Sequence, residues 1–237
     1  ASFTTTYSFI NANLPSILCD GSNVLALGAY GGNTVRYRNS SNEGTNWSSE
    51  YIFTPPTGFS NDVVGVFKDG RIYIVYHDGM HNYFARSSDL GATWDLNKTD
   101  IAGSTGFITE STSICMSGVG DNNDKIHYVG KYGSNIIYAN STNGGQNWTY
   151  RTLVSNIGSG ADVACSGSNV FVSFTNTTHA YVINSTNDGV TWSSPTEVDG
   201  LSSDYVANLP SLSTNYKGNA IAAWSENTST SSGNWVF

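Results

Sequence analysis

One eight-residue pattern recurs four times without gaps: Ser40-Ser-Asn-Glu-Gly-Thr-Asn-Trp47, Ser87-Ser-Asp-Leu-Gly-Ala-Thr-Trp94, Ser141-Thr-Asn-Gly-Gly-Gln-Asn-Trp148 and Ser185-Thr-Asn-Asp-Gly-Val-Thr-Trp192. The tryptophans stand 47, 54 and 44 residues apart. A repeat at this interval means that each copy is one supersecondary unit, and the length suits a four-stranded sheet. Within each copy the third residue (Asn42, Asp89, Asn143, Asn187) can accept hydrogen bonds from backbone amides of a turn. The fifth (Gly44, Gly91, Gly145, Gly189) tolerates a positive φ, and the last (Trp47, Trp94, Trp148, Trp192) can fold back as an apolar plug.

β-rich pairs precede each copy: 24–30 with 34–38, 71–76 with 82–86, 125–130 with 135–139, and 170–174 with 180–183. A fifth copy opens at Ala207-Asn-Leu-Pro-Ser211, echoing Ala12-Asn-Leu-Pro-Ser16, and stops before its own turn. A spare strand at 4–10 supplies what the fifth copy lacks. The motif resembles the Asp-box, or bacterial neuraminidase repeat, of the sialidase-like superfamily, although Asp89 alone keeps the Asp. The resemblance implies an all-β fold: a five-bladed β-propeller of four-stranded antiparallel blades. The expected blades are 11–54, 58–101, 105–154, 158–199 and 203–237 completed by 1–10, in one domain over 1–237. Pairing the chain ends would close the ring and remove open sheet edges; the alternative is a six-bladed ring truncated at its C-terminus. In the resembled families these turns lie away from the active face, which makes them staples.

At 38% hydrophobic residues the chain can bury a core, while 12% charged residues and a net charge of −8 argue against nucleic acid as a partner. No apolar run reaches the roughly 18 residues of a membrane span. The chain begins at Ala1 without Met, and a secreted or extracellular protein is the expectation, a trimmed chain looking the same. Glycosylation sequons at Asn39, Asn46, Asn97, Asn140, Asn147, Asn176, Asn184 and Asn227 permit that reading, though so Asn-rich a chain produces nearly as many by chance. Cys19, Cys115 and Cys165 are odd in number. Equivalent positions on different blades usually lie farther apart than the roughly 7 Å a disulfide spans, so all three are expected to be small core residues.

The loops entering each first strand share a large apolar residue followed three positions on by a polar one: Ile10 to Asn13, Phe59 to Asp62, Phe107 to Glu110 and Tyr205 to Asn208. The fourth copy departs, with Asp162 after a Gly-Ser-Gly-Ala run. Aromatic faces stack on sugar C–H surfaces and polar groups bind hydroxyls. The expected ligand set is therefore Phe59, Phe107, Tyr205, Tyr30, Tyr132, Asn13 and Asn208; the competing role for Phe59, Phe107 and Tyr205 is to plug gaps between blades. His77 and His81 offer two metal ligands without an evident third, and Asp121-Asn-Asn-Asp124 lacks the length and acidic terminator of a calcium loop. Neither a metal nor a cofactor is expected.

Sialidases of the resembled superfamily use three arginines, a Tyr–Glu pair and an acidic proton donor. Here Arg36, Arg38, Arg71, Arg86 and Arg151 all miss the first-strand entrances, and Asn-Leu-Pro stands where a sialidase shows Arg-Ile-Pro. Glycosidic cleavage in general requires two carboxylates about 5 to 10 Å apart, for which Asp62, Glu110 and Asp162 are the candidates. The expectation is a non-catalytic carbohydrate-binding surface module whose partner is a glycan or a surface protein. Two alternatives stand beside it: a self-assembling structural subunit of a cell-surface or viral assembly, and a glycoside hydrolase.

Overall fold

A computed structural model of the chain describes residues 12–30, 34–55, 63–77, 81–97, 101, 110–118, 124–157, 160–176, 178–200, 205–215, 217–228 and 231–236. All regular structure among them is β. The first sheet runs β1 (Ala12–Asp20), β2 (Asn23–Tyr30), β3 (Thr34–Ser40) and β4 (Tyr51–Phe53). The second runs β5 (Val63–Lys68), β6 (Arg71–His77), β7 (Asn82–Ser87) and β8 (Asp95–Asn97). The third holds β9 (Glu110–Gly118), β10 (Lys125–Tyr132), β11 (Asn135–Ser141) and β12 (Thr149–Ser155). The fourth holds β13 (Ala161–Ser166), β14 (Asn169–Thr175), β15 (Ala180–Ser185) and β16 (Thr196–Glu197). The last has three strands, β17 (Tyr205–Thr214), β18 (Ala220–Thr228) and β19 (Ser231–Val236). Every pair is antiparallel and joins neighbours in the chain. The spare strand expected at 4–10 lies outside the described residues.

Two compact units, 1–100 and 101–237, carry the sheets. In the first unit Leu25, Leu27 and Ala29 of β2 pack with Ile72, Ile74 and Tyr76 of β6. In the second, Val129 and Tyr138 pack with Val163, Val172 and Phe174. Strands covered on both faces need apolar residues at successive positions, which is why β6 buries Ile72 through Tyr76 without a break. The first strands of neighbouring sheets lie side by side, β1 with β5, and β9 and β17 each with β13. Gly65 permits that approach, since a Cβ there would stand 2.8 Å from Leu18 Cδ1. Both Asn-Leu-Pro-Ser segments produce a register shift, between Asn13 and Ser16 in β1 and between Asn208 and Ser211 in β17. Proline has no amide to donate to the ladder, so the strand bulges there.

The expectation of three isolated core cysteines is overturned. Cys115 of β9 and Cys165 of β13 form a disulfide with Cα atoms 5.8 Å apart, and Cys19 is free and exposed. β9 and β13 are the first strands of neighbouring sheets and lie side by side. At that meeting line equivalent positions come within disulfide reach.

Candidate functional site

The four repeated turns share one hydrogen-bond set. The buried serine that opens each turn (Ser40, Ser87, Ser141, Ser185) accepts from the glycine amide four residues on, at 2.8–2.9 Å. It donates to the Asn or Asp two residues on, whose Oδ1 accepts the amide of the seventh residue. Two successive residues take positive φ, Leu90 (54°) and Gly91 (88°) for example, where the sequence pattern suggested the glycine alone. The opening serine is invariant in the four copies, and that invariance is the sequence signal for its role. Hydrogen bonds from Thr93 and Ser87 hold the exposed Asp89 carboxyl below its usual range.

Each glycine in the second and fourth turns also meets the preceding sheet. Tyr37 of β3 donates to the Gly91 carbonyl at 2.5 Å and accepts from Trp94 Nε1 at 3.0 Å. A Cβ on Gly91 would stand 2.6 Å from the Tyr37 ring. In the other unit Tyr138 of β11 occupies the matching place over Gly189 and Trp192. There the lock extends into a buried chain of hydrogen bonds. Tyr138 Oη lies 2.6 Å from His127 Nδ1, His127 Nε2 lies 2.7 Å from Ser117 Oγ, and Ser117 donates to Asp188 Oδ1 at 2.9 Å. Lys125 pairs with the other Asp188 oxygen at 2.5 Å. With Ser117 donating to Asp188, Nε2–H donates to the serine, and in the neutral imidazole the phenol donates to Nδ1. Burial pushes His127 down to about 4 and raises the Tyr138 phenol. Burial also opposes ionisation of Asp188, but hydrogen bonds from Lys125 and Ser117 prevail and leave its carboxyl below the usual range. The serine is enclosed at 7% exposure, so this chain ties two sheets together and is not an open nucleophile.

Between β11–β12 and the fourth turn lies a groove of about 240 Å³. Tyr138 and Gly189 line it together with Asn140, Tyr150, Arg151 and Val190. Tyr150 is exposed, and Arg151 is oriented by a 2.6 Å hydrogen bond to the Gly189 carbonyl. Asn140 is held by Thr149 at 2.6 Å. None of the described residues lining the groove is a carboxylate. The groove can therefore stack and hydrogen-bond a small polar ring, but it has no acid–base pair.

At the β14–β15 hairpin a second cluster gathers His179, Glu197 and Asp199, with donor atoms all within 4.8 Å of one another. His179 Nδ1 is 3.2 Å from Asp199 Oδ1 and 3.9 Å from Glu197 Oε1. The neighbouring Tyr181 phenol is pushed up by burial and by Glu197. The residues join across a hairpin register that the sequence pattern does not encode.

The residues expected from the sequence are placed as follows. Phe59, Asp62 and Phe107 lie outside the described residues, as do 121–123. Glu110 starts β9 opposite Lys131, Asn13 in β1 pairs with Ala29, and Tyr205 and Asn208 in β17 pair with Thr228 and Ser225. Their side chains are not among those described. Tyr132 is exposed at the end of β10, and Tyr30 stacks 3.5 Å under the Arg36 guanidinium. Asp162 accepts from its neighbour Val163 at 2.9 Å and from Leu212 of β17 at 2.6 Å. Both of its oxygens are thus engaged by backbone amides.

No family model and no curated protein matches the sequence. Solved structures do resemble the fold. The NanB sialidase of Streptococcus pneumoniae in "NanB plus Optactamide" superposes with a TM-score of 0.62 at 12% identity, covering 95% of this chain and 58% of the other. The polysaccharide lyase Uly1 gives 0.59 at 12%, covering 90% and 54%. The SapL1 lectin in complex with alpha methyl fucoside gives 0.57 at 13%, covering 94% and 78%. The chain spans a little over half the length of the sialidase structures it matches, 56% in one case. At such identities the likeness is one of fold alone: the antiparallel sheets, in chain order, are like those of these propeller structures.

Proposed function

We propose that the protein is an extracellular carbohydrate-binding β-propeller without hydrolytic activity, its five sheets closing into one ring stapled by Asp-box turns. The observation that carries the binding reading is the groove beside the fourth turn, where exposed Tyr150 stands with Arg151 and Asn140 and no described carboxylate lines the wall. Its volume lies below the roughly 300 Å³ at which drug-sized pockets begin and suits a single sugar ring. Asp162 supports the non-catalytic half of the proposal, because an acid held by two backbone amides is poorly placed to give up or take a proton. The structural neighbours add weight, being a sialidase, a polysaccharide lyase and a lectin in complex with a fucoside. The disulfide supports an oxidising, extracellular location. The set expected from the sequence, Phe59, Phe107, Tyr205, Tyr30, Tyr132, Asn13 and Asn208, is the second place for the ligand.

A glycan-array screen of the wild type and two variants tests the assignment. Tyr150→Ala, at an exposed position, is expected to fold normally and lose retention of the captured glycan. Retention intact in Tyr150→Ala but lost in the Phe59→Ala/Phe107→Ala double variant would move the site to the entering loops. Capture of no glycan at all would favour a self-assembling structural subunit.

A further inference from the structure

We propose that His179, Glu197 and Asp199 form a site for one divalent cation of the zinc class, with a fourth coordination position left open. The site is independent of the glycan groove. Three donors of the right chemistry converge. His179 Nδ1 faces Asp199 Oδ1 at 3.2 Å and Glu197 Oε1 at 3.9 Å, and all three donor atoms fit within 4.8 Å. A cation about 2.1 Å from each ligand spaces its ligands by roughly 3 to 4 Å, as His179 Nδ1 is spaced from the two carboxylates here.

The surroundings hold these groups in place. Asp199 is fully enclosed at 0% side-chain exposure, and its second oxygen accepts from the Ala180 amide at 2.6 Å, which aims the first at the histidine. The His179 amide donates to Asn176 Oδ1 at 2.6 Å, and the Asn176 amide donates back to the His179 carbonyl at 3.0 Å. This closed Asx turn fixes the imidazole at the hairpin tip. Glu197 is 45% exposed, which leaves an entry path from solvent.

A simple His–Asp hydrogen bond accounts for less of this geometry. Two carboxylates approach one ring nitrogen that has at most one proton to give, while Glu197 Oε2 also accepts from the Tyr181 hydroxyl at 3.5 Å. A divalent cation takes an oxygen from each and the lone pair of Nδ1. The imidazole selects against calcium and magnesium, which prefer oxygen alone, and in favour of zinc and its neighbours. Three protein ligands leave the fourth position for water or a ligand oxygen.

The test is calorimetric titration of the full chain with Zn²⁺ in a Cys19→Ser background, because Cys19 is an exposed thiol that would bind zinc by itself. The expected result is one saturable equivalent per chain, not displaced by a large excess of Ca²⁺. His179→Gln, Asp199→Asn and Glu197→Gln should each weaken it by about tenfold or more. Glu197→Gln alters an exposed side chain, so unchanged metal-free melting separates lost ligation from lost folding. Co²⁺ should give the visible absorption of a four-coordinate site, absent in Glu197→Gln. Absence of saturable Zn²⁺ binding, affinity unchanged in Glu197→Gln and His179→Gln, or binding abolished instead by His77→Ala/His81→Ala would overturn the proposal.

Discussion

His127 shows how one buried side chain sets a pH limit on the fold. In the unfolded chain its imidazole takes up a proton near pH 6.5, whereas in the native protein burial delays this to about pH 4. Stability is therefore complete above about pH 6.5 and falls as the pH drops from there to 4, by about 3 kcal/mol for a difference of this size. Asp188 acts in the same direction, because its lowered carboxyl contributes stability that is lost as acid protonates it. Denaturant midpoints at pH 7.5, 5 and 4 should fall steadily, and His127→Gln should flatten that slope while lowering stability at pH 7.5. A midpoint constant across the window would contradict the neutral, doubly hydrogen-bonded imidazole. None of this was legible in the sequence. His127 sits in a β-rich run with nothing to distinguish it, and its partners Ser117, Tyr138 and Asp188 come from three different strands and turns.

At the level of the element, the turns were the most legible feature, since their spacing and residue types follow from local hydrogen bonding and backbone geometry. Their contacts with the preceding sheet were not, because these depend on how one sheet lies on the next. The difference is measurable. A Cβ on Gly44 meets its own Trp47 at an ordinary 3.5 Å, so Gly44→Ala carries only the strain of a positive φ, about 1 kcal/mol. Gly91→Ala carries the same strain and a 2.6 Å overlap with the buried, hydrogen-bonded Tyr37, for about 2–4 kcal/mol in all. Equal losses in chemical denaturation of the two variants would deny the lock between Tyr37 and the turn. The same blindness to contacts between sheets explains the missed disulfide. Cys115 and Cys165 stand at matching places in the repeat, and strand adjacency rather than sheet stacking decides their distance.

For the whole molecule, the sequence repeat points to five equivalent sheets, and antiparallel neighbours in chain order agree with it. Closure into one ring is the proposed next step, and it has a thermodynamic signature. A closed ring should unfold in a single calorimetric transition whose calorimetric and van't Hoff enthalpies agree. Two separable transitions, matching 1–100 and 101–237, would contradict closure. Function was less legible than architecture. The sequence pointed to aromatics at the strand entrances, of which Phe59 and Phe107 lie outside the described residues, and the groove of Tyr138, Tyr150 and Arg151 meets the fourth turn in a contact no local pattern encodes. Asp162, a candidate acid by position, turns out to tie β13 to β17.

Binding without cleavage is the property on which the proposed function stands. It is tested most directly by incubating the protein with the glycan it retains and weighing bound and free glycan by mass spectrometry. The glycan is expected to be recovered bound and at its original mass, with retention lost in Tyr150→Ala. Accumulation of a hydrolysis product at a rate proportional to protein concentration would contradict it and return Asp62, Glu110 and Asp162 to the front as catalytic acids.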